Sequence, residues 1–425
     1  MSQPRIPWLL ECTTHWPRVR AKFLFYAENR PVRDEDGVVT AFRDGQVTLR
    51  ENRRTEGFTI AILEQGYQGV RVGDLVLHSM DAFAGAIGVS ESDGKCTPEY
   101  VVVNGPPRKV ENRYYAYLLR EMALRDYIRV ICPSVRERAP RFRFPRFQEV
   151  MLPAPPVPVQ RAIADFLDRK TALIDDLIAK KERLLGLMAE KRAALIHRAV
   201  TKGLDPSVPM KDSGVPWIGE IPAHWNVRRM RYLCRITTGG RDTQDAREDG
   251  AYPFFVRSDT VERIDTYSFD GEAVLTSGDG AGVGKIFHHY VGKLEFHQRV
   301  YLFYAFHEVL GRYLYFFVKQ HLATVVLEGT AKSTVDSIRR HMLTDFPIAF
   351  GPEDEQAAIV SFLDRALDRS DKVLARVEEQ IDRLREYRQA LITAAVTGQL
   401  DVEGGRSGRA TSAANGQLDR SEGAP

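Results

Sequence analysis

Two stretches, Val159–Val200 and Glu353–Val396, share one hydrophobic rhythm. In the first, apolar residues recur every three or four positions at Ile163, Leu167, Ile174, Leu177, Leu184, Met188 and Leu195. In the second they fall at Ile359, Leu363, Val373, Val377, Leu384 and Leu391. That period predicts a long amphipathic helix in each stretch. Pro158 and Pro352 stand just outside the starts, where proline is tolerated, and no proline interrupts either run. Both stripes keep one heptad register at a constant offset of 196 residues. Lys170, Lys181 and Ser370 interrupt the stripes. The expectation is therefore two helices pairing as a worn coiled coil, with Leu177 and Val373 in the seam.

The chain is written twice. Gln160–Asp205 aligns without a gap on Gln356–Asp401, with 20 of 46 positions identical. The openings of the halves also repeat: Pro7-Trp8, Glu11 and His15-Trp16 return as Pro216-Trp217, Glu220 and His224-Trp225, offset by 209. Fainter echoes pair Gly73–Ser79 with Gly271–Ser277, and Arg113-Tyr114 with Arg312-Tyr313. Each half thus reads as an opening, a variable domain and a repeated helix. Short β-rich runs such as Tyr100–Val103 and Arg299–Phe303 alternate with Gly and Asp turns, so the variable parts read as mixed α/β. One helix per domain is expected around Tyr114–Arg129 and Arg312–Leu327. The expected division is residues 1–155, a first helix 156–203, a linker and second domain 204–352, a second helix 353–401, and a disordered Gly/Ser/Ala/Arg-rich tail 402–425.

Composition narrows the function. With 60 Lys/Arg against 57 Asp/Glu the chain carries a net +3, so any nucleic-acid footprint is local. Four scattered cysteines without C-x-x-C spacing argue against a zinc site or disulfide framework and fit a reducing cytoplasm. No apolar run approaches ~18 residues, which argues against a membrane span.

Lys211-Asp212-Ser213-Gly214-Val215-Pro216-Trp217-Ile218-Gly219-Glu220-Ile221-Pro222-Ala223-His224-Trp225 resembles the opening motif of a target recognition domain in specificity subunits of Type I restriction–modification enzymes. Pro352–Gln356 followed by Ile359, Phe362, Leu363 and Asp364 is similar to the entry of that family's spacer helix. The resemblance covers roughly residues 5–401, and Ile6–Glu11 is a degenerate copy of the motif. It implies an α+β fold: two α/β target recognition domains separated by two long antiparallel spacer helices, related by a pseudo-two-fold. It also implies a non-catalytic subunit that binds a split site on double-stranded DNA in the cytoplasm. Two modification (methyltransferase) subunits and restriction subunits are the implied partners, and no membrane. No cofactor belongs to the chain itself; the partners are implied to use S-adenosylmethionine, ATP and magnesium.

The residues themselves carry little chemistry of their own. Gly278–Lys285 looks like a phosphate loop, but Asp279 and Ile286 stand where glycine and Ser/Thr are needed, so a tight turn at a strand end is expected. Asp81 upstream of Asp93-Gly94-Lys95 has the order of a metal-dependent nuclease, against which stands a polar hairpin turn. A stand-alone nuclease and a coiled-coil adaptor without DNA binding are thus the competing readings; no metal site is assigned. The local basic signal lies in residues 108–149, with 11 Lys/Arg against 5 Asp/Glu. There Arg136, Arg138, Arg141, Arg143 and Arg146 interleave with Phe142, Phe144 and Phe147, the pattern of a strand with aromatics inward and guanidinium groups toward phosphates. In the second domain the candidates are Arg257, Lys285, Arg299, Lys332, Arg339 and Arg340. Base contacts are expected from Ser79, Met80 and Asp81, and from Ser277, Asp279 and Lys285, because the repeated strand delivers both loops to the same place. His15-Trp16 and His224-Trp225 are expected to pack and cap.

Overall fold

The computed structural model describes residues 16–53, 65–132, 141–329 and 337–402. The chain divides into two compact units, Met1–Ala179 with Ile381–Pro425, and Lys180–Gln380. Both cuts fall inside long helices, which run over Val157–Lys202 and Glu353–Val396. The units therefore cross the boundaries drawn from sequence, because each domain packs on the start of one helix and the end of the other.

In the first unit Ile163, Ala164 and Leu167 share a core with Ile392, Ala395 and Val396. In the second, Ile196, Ala199 and Val200 share one with Ile359, Leu363 and Leu367. A helix start beside a helix end in both units means the helices run antiparallel. Glu353, Asp354 and Glu355 occupy the first turn of the second helix, where carboxylates offset the positive end of the helix dipole. Gly203, at φ +70°, lets the chain leave the first helix in the left-handed conformation that stops it.

The seam is displaced by one residue from the expected stripe. Ile174 is buried, but Leu177 and Leu184 are each 43% exposed and Val373 is 45% exposed. Counting heptads from Leu167 places Ile178 and Leu185, not Leu177 and Leu184, on the inner line, and Leu374 rather than Val373 on the second helix. Adjacent helix positions are ~100° apart, so a one-residue error turns a core residue outward.

Each unit carries a sheet whose four inner strands run antiparallel in the same order. In the first it is Tyr26–Ala27, Tyr100–Asn104, Leu75–His78 and Ile87–Val89. In the second it is Arg235–Thr238, Val300–Tyr304, Phe269–Ser277 and Phe287–Phe296, extended by Tyr252–Phe255 and Glu262–Ile264. One helix lies against each sheet, Asn112–Leu124 and Gly311–Gly329. Two-stranded ladders, Arg18–Arg20 with Met151–Pro153 and Asn226–Arg229 with Pro347–Phe350, close each domain just before its long helix. The architecture is α+β.

Candidate nucleic-acid interface

Matching residues in the two copies make matching bonds that fix each domain on its helices. Gln160 is fully buried; its amide donates to the carbonyls of Lys109 and Pro155 and accepts the amide of Glu111 at 2.8 Å. Gln356 does the same with Glu308, Gly351 and Leu310. Tyr114 donates its hydroxyl to the Val396 carbonyl at 3.1 Å, and Tyr313 to that of Val200 at 2.9 Å. Both tyrosines satisfy a carbonyl at the last turn of a long helix. Burial pushes both hydroxyls well above the usual tyrosine range, so they stay donors. Arg113 bonds Asp168 at 2.8 Å and Arg312 bonds Asp364 at 2.7 Å. His224 and the buried Trp225 both reach Glu355, at 2.8 and 3.0 Å, anchoring the opening motif to the first turn of the second helix.

On this frame, one strand in each unit delivers a loop. Leu75–His78 leads to Ser79, whose amide donates to the Glu99 carbonyl and whose hydroxyl donates to the Glu99 carboxylate, both at 2.8 Å. Met80 is 37% exposed. Asp81 accepts from Arg43 at 2.9 Å and lies 3.2 Å from His78. Phe269–Ser277 leads to Gly278, whose amide donates to the Arg299 carbonyl at 2.8 Å. Asp279 accepts from Arg257 at 3.0 Å and Arg299 at 2.6 Å. Burial would raise the Asp279 pKa, but the hydrogen bonds from Arg257 and Arg299 outweigh it and hold the carboxyl below its usual value. Each loop then enters a single 3-10 turn, Ala82–Ala84 or Gly280–Gly282. Beside Asp279 opens a groove of about 380 Å³ lined by Thr238, Gln298, Arg299, Tyr301 and Ser337.

Several candidates sit differently from expectation. Ser79 and Ser277 are fully buried with their hydroxyls bonded inside the protein, so they support the loops and have no free edge. The Arg/Phe run forms no strand in its described part: Pro145 opens a short helical turn, Phe144–Phe147. The alternation survives as burial, with Phe142 and Phe147 inside and Arg141, Arg143 and Arg146 exposed. Phe142 donates its amide to the Ser79 carbonyl at 2.9 Å, which lays the run across the loop. Ile338 does the same to Gly278 at 2.8 Å, bringing Arg339 beside the second loop. Arg257, Lys285 and Arg299 are exposed. Arg136, Arg138 and Lys332 lie outside the described residues.

Sequence reasoning missed Glu99 and Arg43. Arg141 and Arg143 lie 3.4 and 3.7 Å from the Glu99 carboxylate, and the one signal for it was an acid immediately before the strand Tyr100–Asn104.

The chemistry-bearing motifs resolve into structural roles. Gly280–Gly282 leads into the strand Phe287–Phe296, not into a helix whose N-terminus could cradle phosphate. Asp93 accepts the Val72 amide at 2.9 Å while Asp81 is tied to Arg43. Gly94–Cys96 pairs with Gln68–Val70, so Asp93-Gly94 does not turn a hairpin. Among the described residues no three His, Cys, Asp or Glu cluster to hold a metal ion, and no helix is long and apolar enough to cross a membrane.

Each unit couples a sheet-bearing domain to the start of one long helix and the end of the other. Residues 222–383 match the Type I restriction modification DNA specificity domain. The chain is 31% identical over 185 residues to the EcoDI specificity subunit of Escherichia coli, covering 44% of this chain and 40% of that subunit's length. Its fold matches a chain solved in work on complex assembly and conformational transition of the type I R-M system, with TM-score 0.69, 15% identity, and coverage of 93% and 100%. It also matches the HsdS subunit from Thermoanaerobacter tengcongensis, with TM-score 0.50, 15% identity, and coverage of 91% and 98%. Residues 222–383 thus resemble the specificity domain of Type I restriction–modification systems, and the chain spans about 40% of the length of the curated specificity subunit it matches.

Proposed function

We propose that the chain is the sequence-reading subunit of a Type I restriction–modification complex and that each unit reads one half of a split DNA site. The observation that carries this is the repeated loop: in both units a strand, a 3-10 turn and an overlying basic segment bring carboxylate and guanidinium groups to one place. Exposed Arg141, Arg143, Arg146, Arg257 and Lys285 suit phosphate contacts, which position a protein without reading sequence. Met80, Asp81, Asp279 and Arg299 are the base-facing candidates, since carboxylates accept from exocyclic amines and arginine donates to guanine.

The chain supplies specificity and assembly. Two modification subunits dock on it and use S-adenosylmethionine to methylate adenine in each half-site; restriction subunits using ATP and magnesium join them, all in the cytoplasm. The likeness to the E. coli specificity subunit supports this reading, over the 40% of that subunit which the match spans. Methylation-aware sequencing of the host genome with and without this gene is the test. A split methylated motif that vanishes with the gene is expected; an unchanged methylome would sink the proposal.

A further inference from the structure

The duplication supplies an internal control on which residues hold the fold and which do something else. Residues that bolt each domain to its helices are the same in both copies, as with Gln160 and Gln356, Tyr114 and Tyr313, and Arg113 and Arg312. Glu99 and Arg299 break that pattern. Each immediately precedes the strand that returns beside the loop-delivering strand, Tyr100–Asn104 or Val300–Tyr304. Each accepts, on its carbonyl at 2.8 Å, the amide of the first residue after the delivering strand, Ser79 or Gly278. The backbone role is therefore identical, and the side chains are opposite in charge. A scaffold role does not need that reversal.

Both side chains face the loop with hydrogen-bonding capacity to spare. Ser79 occupies one Glu99 carboxylate oxygen at 2.8 Å. The other lies 3.4 Å from Arg141 and 3.7 Å from Arg143, longer than a normal bond, and keeps open acceptor positions. Arg299 gives one Nη1 hydrogen bond to Asp279, and its side chain is 61% exposed. A guanidinium has five donors in a planar fork, so an edge suited to two parallel acceptors remains.

We propose that positions 99 and 299 tell the two half-sites apart. Arg299 donates to the O6 and N7 acceptors of a guanine, while Glu99 accepts from the exocyclic amine of a cytosine or adenine. Asp279 keeps the Arg299 fork aimed, and Arg141 and Arg143 flank the Glu99 carboxylate on its loop-facing side. This rests on the sequence-reading function proposed above and assigns base chemistry within it.

The test is selection from a randomised duplex library with the full-length chain, together with the proteins that co-purify with it. The wild-type protein and Arg299→Gln, Arg299→Lys and Glu99→Gln variants are compared. If the wild type enriches no split motif, the sequence-reading function fails and the inference falls with it. Given such a motif, Arg299→Gln is expected to lose preference for one guanine in one half-site, by roughly ten- to a hundredfold, leaving the other half unchanged. Glu99→Gln is expected to relax one amine-bearing position in the other half-site only. An unchanged motif in both variants overturns the inference. Should Arg299→Gln bind nothing, Arg299→Lys decides, because lysine keeps the charge without the fork. A recovered motif lacking the guanine supports base reading; a recovered motif retaining it makes Arg299 a phosphate contact and refutes the assignment.

Discussion

Arg141 and Arg143 show how a residue's position separates affinity from specificity. Both are exposed on the segment laid across the first loop. Replacing both with alanine is expected to weaken binding about equally for all DNA sequences and to lower the salt slope by roughly two; titration of binding at several salt concentrations measures it. Gln356 is a different kind of residue, buried and bonded to Leu310, Glu308 and Gly351. Gln356→Ala leaves buried backbone groups unpaired, each at about 1–3 kcal/mol, so the unfolding midpoint in denaturant should drop clearly. His321 sets a pH dependence. Burial against Trp217 and Phe317, aided by His197, lowers its pKa to about 3. The unfolded chain then binds the extra proton first, so this contribution to stability is intact above about pH 6.5 and declines as pH falls toward 3. His321→Phe should flatten that part of a melting-temperature profile; an unaltered profile would place the acid sensitivity elsewhere.

For the long helices, apolar periodicity located the elements but not the inner line. Val157–Lys202 and Glu353–Val396 are close to the stretches read from sequence. Leu177 and Val373, expected inside, are exposed, while Ile174 is buried. Leu177→Asp is therefore expected to change stability little, whereas Ile174→Asp buries a carboxylate and costs several kcal/mol. Thermal melts of the two variants side by side distinguish them. Over its described residues, the strand expected from alternating Arg and Phe is a coil and one helical turn instead. Period-two burial needs only alternating contacts with a core, not a hydrogen-bonded partner strand, and Pro145 favours the helical turn.

Over the whole molecule, the proposed function makes specificity modular. Each unit has its own sheet, loop and core. Exchanging residues 237–350 for those of another family member should alter one half-site of the methylated motif and leave the other intact. If both halves changed together, the two-reader model would be wrong.

The amino-acid sequence by itself determined the duplication, the two helices and the α+β class, because these rest on identity at a fixed offset and on local periodicity. It also placed the loops, since the strands before them echo one another. Only the tertiary structure decided which loop residues are free. Ser79 and Met80 are neighbours with the same local signal, yet one is fully buried and the other 37% exposed. Glu99 and Arg43 became visible through partners 20 to 44 residues away: Ser79, Arg141, Arg143 and Asp81. Burial and ion pairing depend on which distant segments fold over a residue, and a linear pattern holds no record of that.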